Sequence, residues 1–173
     1  MKLLIAIPAL NEETSLGGVI ERCLELRSKL DSGSVSAVDI TVISDGSTDQ
    51  TVAIAKRFEP LIRVIVFDKN KGYGTAIQCA WRASDAELLG VLDADGTCEP
   101  ASLVRLADAL VERDADLALG CRMGEDSAMP PLRALGNRVF ACLLSVLSGQ
   151  MIRDIATGQR VLREPGNGQR SRA

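Results

Sequence analysis

The chain contains no histidine, which removes the commonest general base and the commonest transition-metal ligand together. Its chemistry must run on carboxylates, or on a cation that prefers oxygen. Aromatic residues make up only 3% of the 173 positions, so the core is aliphatic, the usual filling of parallel sheets covered by helices. The five cysteines, Cys23, Cys79, Cys98, Cys121 and Cys142, include no C-x-x-C pair, which argues against a zinc site and against a small disulfide scaffold. A reducing, cytoplasmic setting follows as the expectation. The longest apolar stretch, Val139 to Leu147, is far short of a membrane span, and Met1 to Leu10 runs into Asn11-Glu12-Glu13 without a signal-peptide cleavage site. Net charge is -3, so no global field draws the protein to nucleic acid, and an anionic ligand must be held locally.

Strand-length apolar runs recur along the chain, each ending in polar or glycine-bearing residues and each followed by a segment of helical period. Five strands are predicted: Leu3–Ile7, Ile40–Ser44, Val64–Phe67, Leu88–Leu92 and Leu117–Gly120. Helical spacing links Leu16, Val19, Ile20, Cys23 and Leu24, then Ala76, Cys79, Ala80 and Ala83, then Leu103, Leu106 and Leu110. Ser47 or Thr48 caps a helix over Thr51–Phe58, and Pro100 opens one reaching Arg113. This alternation predicts an α/β, Rossmann-like fold: a mostly parallel sheet with helices on both faces. One domain over 1–163 and a disordered polar tail over 164–173 complete the expectation.

Ligands of open α/β sheets bind beyond the strand C-termini, so the residues closing each strand carry the functional argument. Leu92-Asp93-Ala94-Asp95-Gly96 sets two carboxylates one residue apart. On extended backbone both point the same way, so they can converge on one hard divalent cation, with Ala94 leaving room for a ligand. Two acids simply facing water are the plain alternative. At the second strand exit, Gly46 permits a tight turn and Asp45 points over the sheet edge, placed to accept hydrogen bonds from a base or ribose; a purely structural cap is the alternative. Pro8 stops the first strand, and Glu12 stands beside a helix start. Lys69-Asn70-Lys71-Gly72-Tyr73-Gly74 forms a basic, glycine-bearing loop leading into a helix N-terminus, a combination that suits phosphate as well as it suits solvent.

Together, and in this order, these stretches resemble the family-two glycosyltransferases of GT-A fold, in particular the dolichyl-phosphate mannose synthase-like branch. The matching segments are I-P-A-L-N-E-E, V-I-S-D-G-S-T-D, K-G-Y-G-T-A, V-L-D-A-D and G-C-R, spread from Met1 to about Leu162. The resemblance implies an inverting, metal-dependent transfer of a sugar from a nucleotide-diphospho-sugar, GDP- or UDP-linked, to an acceptor such as a polyprenyl phosphate. It implies that Pro8, Ala9, Leu10, Asn11 and Glu12, with Ile43 and Asp45, serve the donor nucleotide. Lys71, Gly72, Ala94 and Arg122 would complete the donor side. Asp93 and Asp95 would take Mg²⁺ or Mn²⁺ and act with Arg122 as the catalytic set. Arg133, Arg138, Thr157, Gly158 and Arg160 would lie on the acceptor side. Leu10 stands where the family commonly has an aromatic, Ser44 replaces the first of two usual acids, and Gly96-Thr97 replaces Leu-Gln.

An apolar helix over Val139–Met151, flanked by Arg133, Arg138 and Arg153, would sit in the core or, as the resemblance implies, peripherally at the cytoplasmic face of a membrane. Two other readings stay open at this stage. V-L-D-A-D-G-T also resembles the nucleophile motif of haloacid-dehalogenase-type phosphatases, with Asp93 as nucleophile, although no lysine follows Lys71. And because the family's members run on beyond this sequence, a C-terminally truncated copy that binds nucleotide without turnover is the third.

Overall fold

A computed structural model describes residues 1–30, 33–120 and 159–164. The chain divides into two compact units, Met1–Ala118 with Gln159–Ala173, and Leu119–Gly158. Of the second unit only Leu119 and Gly120 are among the described residues.

The elements follow in the order β1 (Lys2–Ala9), α1 (Leu16–Ser28), β2 (Ala37–Asp45), α2 (Thr51–Lys56), β3 (Arg63–Phe67), α3 (Tyr73–Arg82), β4 (Leu88–Val91), α4 (Ala101–Glu112), β5 (Leu117–Leu119) and β6 (Arg160–Arg163). The sheet order is β3-β2-β1-β4-β6-β5. β1 pairs in parallel with both β2 and β4, and β2 pairs in parallel with β3. All five predicted strands are present, within two or three residues at either end.

β1 is central and buried on both faces, which is why Leu3 to Ala9 reads as an unbroken apolar run rather than as an alternation. Its side chains still sort by parity. Leu3, Ile5 and Ile7 join a core with Leu16, Val19, Ile20 and Cys23 of α1, Ala55 of α2 and Leu103, Ala107 and Leu110 of α4. Leu4 and Ala6 face a smaller core built with Ala76 and Ala80 of α3 and Leu89 of β4. Helices therefore cover both faces, three on one and α3 on the other. α3 buries Ala76, Ile77 and Ala80, of which the two alanines pack in the smaller core.

One strand was not foreseen. β6 runs antiparallel to β4, with Val91 opposite Arg160 and Leu88 opposite Arg163, and it separates β4 from β5. Its four residues hold two apolar positions between two arginines, and only Val161 is fully buried, so nothing in the local pattern marks it as a strand. The sheet is accordingly mixed on this side.

The strand order reverses between β1 and β4: the chain leaves β1 toward β2 and β3, then crosses back to β4 on β1's other side. The crevice beyond the C-terminal ends of β1 and β4 is thus the topological switch point, where ligands of such sheets bind. No helix among the described residues is long and apolar enough to cross a membrane.

Candidate active site at the sheet switch point

The segment leaving β1 is locked by side chains from the β2–α2 turn. Asn11 adopts a left-handed conformation, φ 57°, which asparagine tolerates better than most residues. Its Oδ1 accepts the Thr48 amide at 2.8 Å, while its own amide donates to Ser47 Oγ at 3.2 Å. The Glu12 amide donates to Thr51 Oγ1 at 2.8 Å, and the Glu12 carbonyl accepts the Leu16 amide at the start of α1. Glu12 Oε2 takes the Ser15 hydroxyl at 2.9 Å. Asn11 and Glu12 thus spend much of their hydrogen-bonding capacity on the turn itself. Leu10, just before them, is exposed, whereas Pro8, Ala9 and Ile43 are buried in the strands and bear on a ligand only through shape.

The expectation that Ser47 or Thr48 caps α2 is corrected. Gln50 occupies the cap position without a side-chain bond, and Asp49 Oδ1 instead accepts both the amide and the hydroxyl of Thr51. Ser47 and Thr48 face the β1 exit because Gly46, at φ +78°, turns the chain toward it.

Asp45 also departs from its expected pose. It is only 5% exposed, and its carboxylate accepts the Lys71 amide at Oδ1 (2.7 Å) and the Gly72 amide at Oδ2 (2.9 Å). Rather than standing free over the sheet edge for a base or ribose, it anchors the basic loop after β3. Lys71 Nζ lies 4.2 Å from the centroid of the Phe67 ring, a cation–π contact that holds the lysine stem along the loop.

β4 ends at Val91, and Ala94-Asp95 lie in a turn closed by Gly96 at φ +77°. The idea that extended backbone aligns the two acids is therefore corrected: a turn, not a strand, presents them. Asp93 is half-buried and accepts the Tyr73 hydroxyl at Oδ1, 3.0 Å. Asp95 is exposed, and its Oδ1 accepts the amide (2.9 Å) and hydroxyl (2.7 Å) of Thr97. Arg22 of α1 donates to the Gly96 carbonyl at 3.3 Å and so braces the turn from below. Ala94 is buried.

Among the described residues no cluster of three or more acidic or cysteine side chains could enclose a metal. Two carboxylates suffice for a cation that keeps waters and takes its remaining ligands from substrate phosphates, which is how Mg²⁺ is commonly held. The Oδ2 atoms of Asp93 and Asp95 receive no hydrogen bond from the described residues, so the donor set fits such a cation.

Tyr73 and Arg22, which pattern reasoning passes over, are the side chains that touch the acid-bearing segment from α3 and α1. Tyr73 is the chain's single tyrosine, and in the sequence it stands only as a member of the glycine-bearing loop. Withdrawal of its phenol from water pushes its pKa up to about 12, the charge and hydrogen-bond acceptance of Asp93 push the same way, and the neighbouring Arg160 guanidinium opposes them. Arg160, expected on the acceptor side, thus stands beside the Tyr73–Asp93 pair at the start of β6. Arg122, Arg133, Arg138, Thr157 and Gly158 lie outside the described residues, as do the Val139–Met151 helix and the tail beyond Glu164.

A parallel sheet with its switch point at β1/β4, an acid pair beyond β4 and an antiparallel strand beside it defines the GT-A class of α/β domains. The chain belongs to glycosyl transferase family 2, whose model matches residues 4–169. It is 32% identical over 164 residues to the low-salt glycan biosynthesis hexosyltransferase Agl6 of Haloferax volcanii, covering 92% of this chain and 38% of that protein. It is 30% identical over 165 residues to a dolichyl-phosphate hexose transferase of the same organism, covering 93% of this chain and 66% of that one. Its fold matches glucosyl-3-phosphoglycerate synthase of Mycobacterium tuberculosis, solved with Mn²⁺, UDP and glucosyl-3-phosphoglycerate, at a TM-score of 0.67, with 19% identity over 94% of this chain and 56% of that one. The family assignment replaces the phosphatase reading of Asp93.

Proposed function

We propose that this chain is the nucleotide-sugar-binding part of an inverting, divalent-cation-dependent glycosyltransferase that delivers a sugar to a phosphate-bearing acceptor, a polyprenyl phosphate in particular. One observation carries the reading: at the C-terminal edge of the sheet Asp45 holds the Lys71 and Gly72 amides, and the next residue, Tyr73, donates its hydroxyl to Asp93, so one short stretch of backbone is tied to both carboxylates. This brings a basic loop to the acid pair where the strand order reverses. With the Lys71 and Gly72 amides taken by Asp45, what the loop offers a diphosphate is its lysine charge and the N-terminus of α3, beside a cation on the acid pair. Family membership and the dolichyl-phosphate hexose transferase among the relatives support the sugar and the lipid phosphate.

Asp93 and Asp95 would hold Mg²⁺ or Mn²⁺, and the Mn²⁺ and UDP bound by the mycobacterial synthase support that choice. When bound, the cation would neutralise charge developing on the leaving diphosphate. The chain's own residues do the remaining work. The loop from Lys69 to Gly74 offers positive charge to the phosphates, and Arg122 is assigned to them by the family pattern. Leu10 and Lys71 would border the nucleotide. Arg133, Arg138, Thr157, Gly158 and Arg160 would face the acceptor. A phosphate acceptor is already anionic, so its oxygen needs no side-chain base, consistent with a chain that has no histidine. Work at a lipid phosphate would place the protein at the cytoplasmic face of a membrane.

The test is calorimetric titration of UDP and of GDP with Mn²⁺, into the wild type and into Asp95→Asn. Loss of a direct ligand should weaken cation-dependent binding by more than the roughly 10–100-fold typical of groups that only support a ligand. Equal affinities in both proteins would refute the assignment. A panel of labelled nucleotide sugars with polyprenyl phosphate then identifies sugar and acceptor: transfer supports the reading, and bound donor without transfer shows a binding module instead.

A further inference from the structure

Tyr73 opens α3, immediately after the two residues whose amides Asp45 holds, and its hydroxyl donates to Asp93 across the crevice. Three consecutive residues of the loop are therefore fixed: Lys71 and Gly72 by a buried carboxylate, and Tyr73 by a carboxylate of the acid pair. Gly72 makes this possible, since φ +92° redirects the chain into α3, and a Cβ there would meet no neighbour, so backbone conformation rather than space demands glycine. The donor at Asp93 is a neutral phenol. A lysine or arginine in the same place would form an ion pair and compete with a divalent cation, whereas a phenol orients one carboxylate oxygen and leaves the negative charge available.

We propose that Tyr73 is a positioning residue: through its bond to Asp93 Oδ1 it aims the second oxygen of Asp93 at the cation, and it links that aim to the pose of the Lys69–Gly74 loop. The inference rests on the reading of Asp93 as a cation ligand. Groups that hydrogen-bond a metal-binding side chain fix its orientation, and their removal commonly costs cation affinity on the order of tenfold or more.

Tyr73→Phe keeps the ring and its packing and deletes only the hydroxyl. Free Mn²⁺ is measured by electron paramagnetic resonance during titration of wild type, Tyr73→Phe, Asp93→Asn and the double variant, each with saturating UDP or GDP, whichever the wild type binds more tightly. Nucleotide affinity is measured separately in EDTA, and melting temperature on every variant. The expected result is a roughly tenfold weaker Mn²⁺ affinity in Tyr73→Phe, with unchanged metal-free nucleotide affinity and melting temperature. The double variant should bind no more weakly than Asp93→Asn, because the phenol acts through that carboxylate. Wild-type Mn²⁺ affinity in Tyr73→Phe overturns the proposal, and so does an equal loss of metal-free nucleotide binding, which marks a structural role. Should wild type and Asp93→Asn bind Mn²⁺ alike, the ligand assignment itself falls, a result separable from the failure of Tyr73 alone.

Discussion

Asp45 and Lys71 lie 26 residues apart in the chain, yet Asp45 Oδ1 accepts the Lys71 amide at 2.7 Å while Oδ2 takes the amide of Gly72. The last residue of β2 is thereby the anchor of the loop that follows β3, and the β2–β3 register, with Asp45 opposite Phe67, sets the distance. Asparagine at this position can accept one amide but turns its own NH₂ toward the other. Asp45→Asn is therefore expected to lose about 2–4 kcal/mol of stability, the cost of a buried donor left unpaired plus a lost charged hydrogen bond. Urea denaturation reads this directly. Nucleotide affinity should fall with it, since the freed loop must be ordered on binding.

Glycines at two positions should respond oppositely to alanine. A Cβ at Gly46 would lie 2.4 Å from the Asn70 nitrogen and 2.6 Å from the Lys69 carbonyl carbon, both backbone, at a φ of +78°. Gly46→Ala is expected to cost at least about 2 kcal/mol and to disturb the same loop. In α1, Gly18 has nothing within 4 Å of a built Cβ and an ordinary φ, so Gly18→Ala should stabilise by about 0.5–1 kcal/mol through helix propensity. Thermal melts of the two variants check the contrast.

Arg22 braces the acid-bearing turn by donating to the Gly96 carbonyl. With the guanidinium gone, the turn keeps its Asp95–Thr97 bonds and the burial of Ala94 in the core but loses its hydrogen bond to α1. Arg22→Ala should weaken Mn²⁺-dependent nucleotide binding several-fold, toward the low end of the roughly 10–100-fold seen for groups that support metal ligands. Unaltered binding would show that the turn holds its shape without help.

Cys23 is fully buried in α1, and burial pushes its thiol from 9.0 up to about 12, with the Arg22 charge opposing and Glu99 adding to the rise. The sign is that of a neutral form favoured by folding: this contribution to stability is complete below about 9 and fades as pH climbs toward 12. At about pH 9.5 in native conditions, iodoacetamide should spare Cys23 while it alkylates Cys79 and Cys98, which are half-buried. Peptide mass spectrometry distinguishes the three sites.

Much of this could be seen in the chain before any coordinates. The strands showed as apolar runs because β1, β2 and β4 are covered on both faces, and α1, α3 and α4 as apolar positions at helical spacing. The residues at the strand exits were legible because turns and caps demand particular side chains. β6 was hidden: Arg-Val-Leu-Arg becomes a strand only because β4 offers it an open edge.

By itself, the sequence determined the helices, every strand but β6 and which polar residues stand at the strand ends, since hydrophobic periodicity and turn chemistry are local properties. Tertiary structure alone decided what those polar residues hold. Asp45 binds a loop instead of standing free, Tyr73 reaches Asp93, and Arg22 reaches Gly96. Each of these bonds joins residues at least 20 apart in the chain, and their distances are set by strand register, for Asp45, and by the packing of α1 and α3 on the sheet, for Arg22 and Tyr73.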